Sequence, residues 1–512
     1  MAEKLPPLQG GRLALMTISL SLAIFMNVLD VSIANVAIPT LAGDLGVSPD
    51  NGTWVITSFA VSQAIMLPLT GWLARRFGEV RLFLVSTALF TITSVLCGLS
   101  QNLAMLIFFR VLQGAVSGPM IPLSQSILLA NFPPEGRGLA TGIWAMTAVV
   151  GPICGPILGG IITDNYTWPW IFYINVPVGI FCVTFTAITL TGRETPTVKQ
   201  PIDIIGLVLL TIGIGCLQIL LDKGHDLDWF NSITIRTLGI ISLISLSFLI
   251  IWLLTQCDPI IDLYLFEDKT FTIGVICLTL GFLVYFGNVV IFPLWLQTQM
   301  GYTPTWAGFA AAPVGIIPFL LTPLVGKYMG RFDLRIIVSL GFFVFIITSI
   351  WQSTFYTDVG FIQLIMPRFY QGFGLAFFFT PLIAMILSNI PPVKLTSALG
   401  LANFFRILGG SFGTSISVTL WNDREALHQN HLVESVNGYN PFTLQTVEQL
   451  HALGATGNKA YGLIYETVIN QSFMLATNDI FRLSAWVFML LFAIIWLAKP
   501  SIIKPGVTVA AE

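Results

Sequence analysis

The chain has 512 residues, of which 55% are hydrophobic and only 9% are charged. Soluble domains carry roughly 25% charged residues, so this composition excludes an ordinary soluble globular protein. The net charge of −2 gives no electrostatic reason to expect a nucleic-acid partner.

Apolar stretches long enough to cross a bilayer, roughly 20 residues each, follow one another along the chain. They predict an all-α polytopic membrane protein. Fourteen spans are predicted, at 13–38, 53–73, 82–99, 103–130, 138–162, 170–190, 203–221, 234–254, 270–298, 305–325, 334–354, 361–389, 396–420 and 479–498. Pro39 ends the first stretch, which is too long for the core of a signal peptide and is therefore expected to be retained.

The distribution of Lys and Arg predicts the orientation of the spans. With the N-terminus inside, fifteen of the 23 Lys and Arg residues fall in inner segments, five in outer segments and three within spans. Basic residues concentrate on the cytoplasmic side of membrane proteins. Both termini are therefore expected in the cytoplasm.

Asp30 lies deep in the first predicted span, and by this assignment no other carboxylate lies so deep in any span. An ionised side chain at bilayer depth costs roughly 2.5–3.5 kcal/mol. Such a residue is kept when it carries an ion, a proton or a substrate, or when it pairs with a buried cation. Arg110, in the fourth span, is the expected neighbour. Burial disfavours the charged carboxylate and the arginine favours it, so Asp30 and Arg110 are the predicted proton-coupling pair.

A static buried ion pair is the alternative for these two residues, although such a pair would contribute little stability. Asp203, at the start of the seventh span, is expected to be a helix N-terminal acid rather than a second proton carrier.

Two motifs recur along the chain with one common offset. The sequence RVLQG at Arg110 returns as RFYQG at Arg368, and NFPP at Asn131 returns as NIPP at Asn389, in both cases 258 positions later. Several matches in register indicate that the two halves arose by duplication. Span four then corresponds to span twelve, so two spans must be inserted between the halves.

The repeat predicts a layout of six, two and six spans. The N-terminal six-helix bundle is expected at 1–195, the two inserted transmembrane helices at 196–268, and the C-terminal six-helix bundle at 269–512. The C-terminal bundle carries the only long polar segment, an expected extracytoplasmic loop at about 421–478. Its two nearby histidines, His428 and His431, have no third ligand at a convincing spacing, so no metal site is expected.

Two segments of the sequence are predicted to move during function. Gly71, Arg75, Arg76, Gly78 and Arg81 form a short basic loop between spans two and three, an expected inner gate; the alternative is a basic loop that only sets topology. A glycine- and proline-rich hinge is expected on span five, where ordinary small-residue packing is the alternative. Its residues are Gly151, Pro152, Gly155, Pro156, Gly159 and Gly160.

Polar and aromatic residues within central spans are the candidates for a substrate pocket, because apolar cavities with a few polar groups suit greasy ligands. These candidates are Asn27, Gln125, Trp144, Tyr285, Asn288, Phe378, Asn403 and Arg406. Each of them alone is more often a packing residue. Arg368 is expected nearer the outer surface, where it would be partly solvated.

These motifs together give the chain a resemblance to the major facilitator superfamily, and within it to the fourteen-span drug:proton antiporters. The resemblance covers essentially the whole chain. It implies the major facilitator fold and proton-driven export of hydrophobic or amphiphilic toxic compounds from a Gram-negative inner membrane. It also implies a periplasmic membrane-fusion adaptor, which the 421–478 segment would dock, and an outer-membrane channel.

Protons are the expected coupling ion, with no other cofactor. One alternative is a dedicated exporter of one metabolite, lipid or siderophore. A non-transporting membrane receptor is a further alternative, against which Asp30, Arg110 and the glycine-proline motif argue. No catalytic triad or nucleotide-binding loop stands out, so neither an enzyme nor direct use of ATP is expected.

Overall fold

Helices make up the regular structure of this protein. The computed structural model describes residues 8–132, 147, 151, 154–197, 203–225, 227–256, 261, 263–391, 395–455 and 458–500. No β-strand occurs in these ranges. The first nine helices are α1 (Gly10–Asp44), α2 (Trp54–Met66), α3 (Thr70–Phe77), α4 (Glu79–Gly98), α5 (Leu103–Ser117), α6 (Met120–Asn131), α7 (154–165), α8 (Asn175–Thr189) and α9 (Ile204–Lys223).

The second half continues the helical pattern. Its helices are α10 (Ile233–Thr255), α11 (Lys269–Thr298), α12 (Pro304–Ala311), α13 (Ile316–Tyr328), α14 (Leu334–Gln352), α15 (Phe361–Leu387), α16 (Leu395–Ser435), α17 (Pro441–Ala452) and α18 (Asn458–Ile494). Short helical turns complete the structure at Pro49–Gly52, Trp170–Tyr173, Trp229–Asn231, Leu263–Glu267, Ala312–Gly315, Met329–Arg331 and Ile495–Leu497.

Polar residues at the span ends explain where several helices begin. The side chain of Asn102 accepts a hydrogen bond from the backbone of Met105 at 2.9 Å and so caps α5. Asp203 caps α9 in the same way through Gly206 at 2.8 Å, as expected for a helix N-terminal acid. Such caps satisfy backbone donors that the first turn of a helix leaves free.

The described residues contain eleven helices long and apolar enough to cross a membrane, or twelve if one bent pair counts as a span. The bent pair is Pro49–Met66 with Thr70–Phe77, which meet at 59°; Pro68 lies in the break, where proline prevents a continuous helix. Of the two further predicted spans, 138–162 lies largely outside the described residues. The other, 396–420, falls within the more polar α16. The count of fourteen and the cytoplasmic termini stay predictions.

The described helices fall into two groups, with a helix pair between them in sequence. The N-unit comprises α1–α8, the C-unit α11–α18, and the inserted pair α9 and α10. The inserted helices pack on each other, with Ser242 donating a hydrogen bond to the carbonyl of Gly213 at 2.9 Å. On its other side α9 reaches the C-unit, because Gln218 donates to Ser415 at 2.6 Å. The exact domain boundaries stay a prediction.

Hydrogen bonds between the two units gather at the end of the bundle away from the chain termini. Within the described residues, the hydrogen bonds that join the units run from Gln297 to the Val36 carbonyl, from the Thr305 backbone to Asp164, from Asn422 to Asp50 and from Ser411 to the Thr57 carbonyl. The bundle is therefore tied shut at that end.

The long polar segment at 421–478 is helical rather than an irregular loop. α16 runs on to Ser435, α17 follows at Pro441–Ala452, and α18 begins at Asn458. His428 contacts the carboxylate of Asp479 at 2.9 Å, which ties α16 to α18. α16 and α18 thus extend beyond the bundle and carry α17 at their tip.

Candidate proton-coupling and substrate site

The predicted acid and base form an ion pair at the centre of the N-unit. Both Asp30 on α1 and Arg110 on α5 are 0% exposed. Nη1 of Arg110 donates to Oδ2 of Asp30, and its Nε donates to the Val55 carbonyl at 2.8 Å. The guanidinium also lies over the ring of Phe59, 4.3 Å from its centre. Burial on this scale makes the two charges depend on each other, since water cannot solvate either one.

Two amides hold the second oxygen of this carboxylate. Asn175 on α8 donates to Oδ1 of Asp30 at 2.8 Å, and Gln113 donates to the same atom at 3.3 Å. Gln113 in turn accepts from Arg110 at 2.9 Å. Asn175 is held by a further hydrogen bond to Ser94 at 3.0 Å. Two helices besides α1, namely α5 and α8, thus supply donors arranged for a charged carboxylate.

The C-unit retains the arginine and the glutamine of this site but not its acid. The 258-residue offset that relates Arg110 to Arg368 also relates Asp30 to Asn288. Arg368 donates to the backbone carbonyl of Asn288 at 2.9 Å and to Gln371 at 3.2 Å. The expectation that Arg368 is partly solvated is wrong: it is 2% exposed, because it lies two turns inside α15 and packs over Phe292.

A small, partly open cavity lies between the N-unit and the C-unit. Ser32, Asn35 and Val36 of α1 line one side. Tyr285 of α11 and Arg368 of α15 line the other. Helices from both units therefore meet around one space, as the transporters built from parallel repeats require.

Tyr285 is the predicted pocket residue that borders this cavity. Asn27 is buried and accepts a hydrogen bond from Gln63 at 3.2 Å, and the Asn288 side chain is bonded to Ser484 at 3.0 Å. The structure therefore places these two amides in separate polar contacts.

The remaining pocket candidates lie elsewhere. Phe378 is buried against Phe282 and Phe342 in an aromatic cluster, and Gln125 is half-buried on α6. Asn403 accepts from Arg406 at 3.1 Å on α16. Trp144 lies outside the described residues. Tyr285 and Phe378 both contact Phe282, and Arg406 lies over the ring of Phe282 at 5.3 Å, so four of the candidates gather around this side chain.

Sequence reasoning missed a second carboxylate near the membrane-spanning core. Asp222, in the last turn of α9, accepts hydrogen bonds from Thr57 at 3.1 Å and from Gln218 at 3.0 Å. The predicted span ended at 221, one residue too early, which placed Asp222 in a loop. The acid joins the inserted pair to the N-unit.

The glycines of the predicted hinge lie against α1. A Cβ at Gly151 would lie 2.6 Å from Val28, one at Gly159 would lie 2.8 Å from the Ile33 carbonyl, and one at Gly155 would overlap Ser32. Glycines spaced four residues apart allow such close helix contact. α7 therefore sits directly against the helix that carries Asp30.

The far end of the same motif touches the C-unit. A Cβ at Gly160 would lie 2.6 Å from Thr305, and one at Gly308 would lie 2.8 Å from the backbone of Pro156. Pro152 lies outside the described residues. α7 thus packs on α1 along one face and on the N-terminal turn of α12 at its end, so it connects the ion pair to the closed end of the bundle.

The predicted inner gate is held within the N-unit. Gly78 has a φ of 92°, and its backbone turns the chain from α3 into α4. Glu194, after α8, accepts hydrogen bonds from the backbone N–H groups of Val80 and Arg81 at 3.0 and 2.9 Å. A Cβ at Gly78 would lie 2.8 Å from the Glu194 side chain, so the turn requires glycine.

The other residues of the predicted gate lie nearer the surface. Arg75, Arg76 and Gly71 lie at the surface or half-buried, and Arg76 lies over the ring of Trp72 at 5.6 Å. Arg81 reaches Glu194 at 3.9 Å, with 76% of its side chain exposed. In the described residues, the carboxylate that serves this loop comes from the same unit.

We expect Glu194→Ala to destabilise the N-unit by about 0.5–2 kcal/mol, the usual effect of losing a helix N-terminal cap. Arg81→Gln is the matched control, and exposed ion pairs of its kind contribute about 0–1 kcal/mol. Thermal unfolding of the purified variants compares the two. A larger loss from Arg81→Gln than from Glu194→Ala would contradict the capping role.

The fold and site define a two-unit membrane transporter with a buried acid–base pair. The sequence pattern of the Major Facilitator Superfamily matches residues 20–414, and the chain belongs to this family. It is 52% identical to the multidrug export protein EmrB of Escherichia coli K12, over 96% of this chain and 97% of that protein.

The chain is also 48% identical to the fatty acid resistance protein FarB of Neisseria gonorrhoeae, over 97% of this chain and 98% of that protein. Its fold is similar to a crystal structure of the peptide transporter POT in complex with sulfate. The TM-score is 0.63 at 14% identity, over 96% of this chain and 98% of that one. This likeness bears on the fold alone.

Proposed function

We propose that this protein is a proton-driven antiporter that exports hydrophobic or amphiphilic toxic compounds across a bacterial inner membrane by alternating access. The observation that carries the proposal is the fully buried Asp30–Arg110 pair, tied by Asn175 and Gln113. Its relatives add support, since one is named a multidrug export protein and another a fatty acid resistance protein.

The chemistry of the pair suits a proton carrier. Ionised, Asp30 accepts from Arg110, Asn175 and Gln113. Protonated, it becomes a hydrogen-bond donor with less capacity to accept. These three donors then lose part of their partner, and the charge that neutralises Arg110 disappears. Protonation therefore favours a rearranged packing of α1 against α5 and α8.

Such a rearrangement reaches the substrate cavity through α1 itself. Ser32, two residues after Asp30, both lines the cavity and packs against Gly155 of α7. Val36, a turn later, lines the cavity and accepts the Gln297 hydrogen bond at the closed end. One helix thus carries the proton site, part of the cavity wall and part of the seal, which gives a mechanical link between them.

The free energy released by inward proton movement is sufficient to drive substrate export. One proton that moves inward releases about 2.3 kcal/mol per 100 mV of membrane potential. Since about 1.4 kcal/mol corresponds to a factor of ten, one proton supports a concentration gradient of tens-fold for a neutral substrate.

The proposal includes a periplasmic membrane-fusion adaptor and an outer-membrane channel as partners. The helical extension formed by the ends of α16 and α18 with α17 supports it. Large apolar side chains stand exposed there: Tyr439 is 96%, Phe442 77% and Leu453 83% exposed. Exposed apolar side chains in one region favour contact with another protein.

Substrate-driven proton movement in proteoliposomes tests antiport. The compounds should be amphiphiles of fixed charge, such as alkyl sulfonates and alkyl trimethylammonium salts, because these cannot carry protons by themselves. We expect their addition to change the luminal pH in vesicles that contain the protein but not in protein-free vesicles. Substrate transport without any pH change would refute proton antiport.

A further inference from the structure

The buried arginine of the C-unit has no counter-charge. Arg368 is 2% exposed and lines the cavity between the units. Among the residues that the structure describes, no carboxylate lies within ion-pair distance of it, and its Nε has no hydrogen-bond partner. A buried cation without an anion is costly. The protein keeps this buried cation beside the cavity between the units.

Comparison of the two units shows what is missing. In the N-unit, Arg110 is neutralised by Asp30. In the C-unit, Arg368 and Gln371 are retained at the same offset, but the position of the acid is taken by Asn288. An aromatic ring, that of Phe292 at 4.0 Å, lies beneath Arg368 as Phe59 does beneath Arg110, although the two phenylalanines are not at corresponding positions. Only the carboxylate of the pair has been lost.

The cavity wall is suited to a ligand that brings its own acid. Its polar side chains are Ser32, Asn35, Tyr285 and Arg368, and no acidic residue lines it among the described residues. The remaining wall is aliphatic, for example Val289. Arginine offers five N–H donors, of which the hydrogen bonds to Asn288 and Gln371 use two. The other N–H donors of Arg368 therefore remain available to bind an oxyanion.

We propose that Arg368 binds the acidic head group of a transported amphiphilic anion, a carboxylate or sulfonate whose apolar tail contacts the aliphatic wall. The bound anion takes the place that Asp30 holds in the other unit. That the bound anion is transported rests on the proposed export function. Binding of the anion at Arg368 does not depend on proton coupling.

Binding to the purified protein in nanodiscs of zwitterionic lipid tests the site. The probes are an alkyl sulfonate, the alkyl alcohol and the alkyl trimethylammonium salt of one chain length. We expect Arg368→Gln to weaken binding of the sulfonate about tenfold or more, since hydrogen bonds to charged groups are the strong ones. Binding of the alcohol should change less than about twofold, because it makes mostly apolar contacts.

Asn288→Asp gives a second, opposite perturbation. It places a carboxylate beside Arg368, which should compete with the sulfonate and weaken its binding as Arg368→Gln does. Ser484→Ala is the matched control, because it removes the hydrogen bond of the Asn288 side chain and adds no charge. Sulfonate affinity should persist in it.

Unchanged sulfonate binding in both Arg368→Gln and Asn288→Asp, with intact thermal unfolding, would overturn the assignment. An equal loss of alcohol and sulfonate binding would do so too, because it would indicate a packing role. Loss of sulfonate selectivity in Arg406→Gln instead would move the site to α16. Displacement of the sulfonate by anionic phospholipid at membrane proportions would assign the site to lipid rather than substrate. Failure of proton antiport alone would leave these binding results standing.

Discussion

Asp30→Asn is expected to abolish proton-coupled export while the substrate cavity still binds. Asp30 does not line the cavity, so the loss of its charge removes the coupling proton without removing a substrate contact. Counterflow, in which labelled substrate exchanges for unlabelled substrate at equal pH, should persist. Substrate-driven pH change in proteoliposomes should vanish.

This substitution leaves Arg110 without its anion, an arrangement that costs about 3–5 kcal/mol in buried pairs. The double variant Asp30→Asn with Arg110→Gln removes that charge and should recover much of the thermal stability but none of the proton coupling. Asp222→Asn is the comparison for a second carboxylate near the membrane-spanning core. Coupling that survives in Asp30→Asn and disappears in Asp222→Asn would assign the proton to the inserted pair.

Gly155→Ala is expected to stop transport, because the added methyl group would force α7 away from α1. The new methyl group would overlap Ser32, whose backbone cannot move away without shifting the helix that carries Asp30. Overpacking of this kind costs about 1–3 kcal/mol. Export by inverted membrane vesicles and thermal unfolding of the purified protein measure the two effects.

Gly215→Ala on α9 is the matched control, because a Cβ there meets nothing within 4 Å. It should leave export and unfolding nearly unchanged. Adding Ser32→Gly to Gly155→Ala returns the lost space and should restore part of the activity. Full export by the single Gly155→Ala variant would show that close contact of α7 with α1 is dispensable.

The sequence was sufficient to find the ion pair, because an acid and a base are rare within apolar spans and each needs a partner there. Asn175 and Ser94 could not be found in this way. Neutral polar residues are common in spans, and only the fold shows which of them face Asp30. The duplication could also be found in the sequence. The correspondence of Asp30 with Asn288 becomes informative only when the structure shows that Arg368 is buried.

Errors of the sequence reading have physical causes. The ends of apolar stretches are poorly defined, which placed Arg368 too near the surface and Asp222 outside its helix by one residue. The segment 421–478 reads as a loop because its composition is polar. It is helical because α16 and α18 continue beyond the apolar core and contact each other through His428 and Asp479.

Proton release by the purified protein tests the central role of Asp30 most directly. A transported amphiphile of fixed charge is added to the protein in weakly buffered solution, and the pH change is followed at a series of starting pH values. We expect the wild-type protein to release protons on binding. The Asp30→Asn protein should bind the same compound without releasing protons. Equal release by both proteins would contradict the assignment of the coupling proton to Asp30.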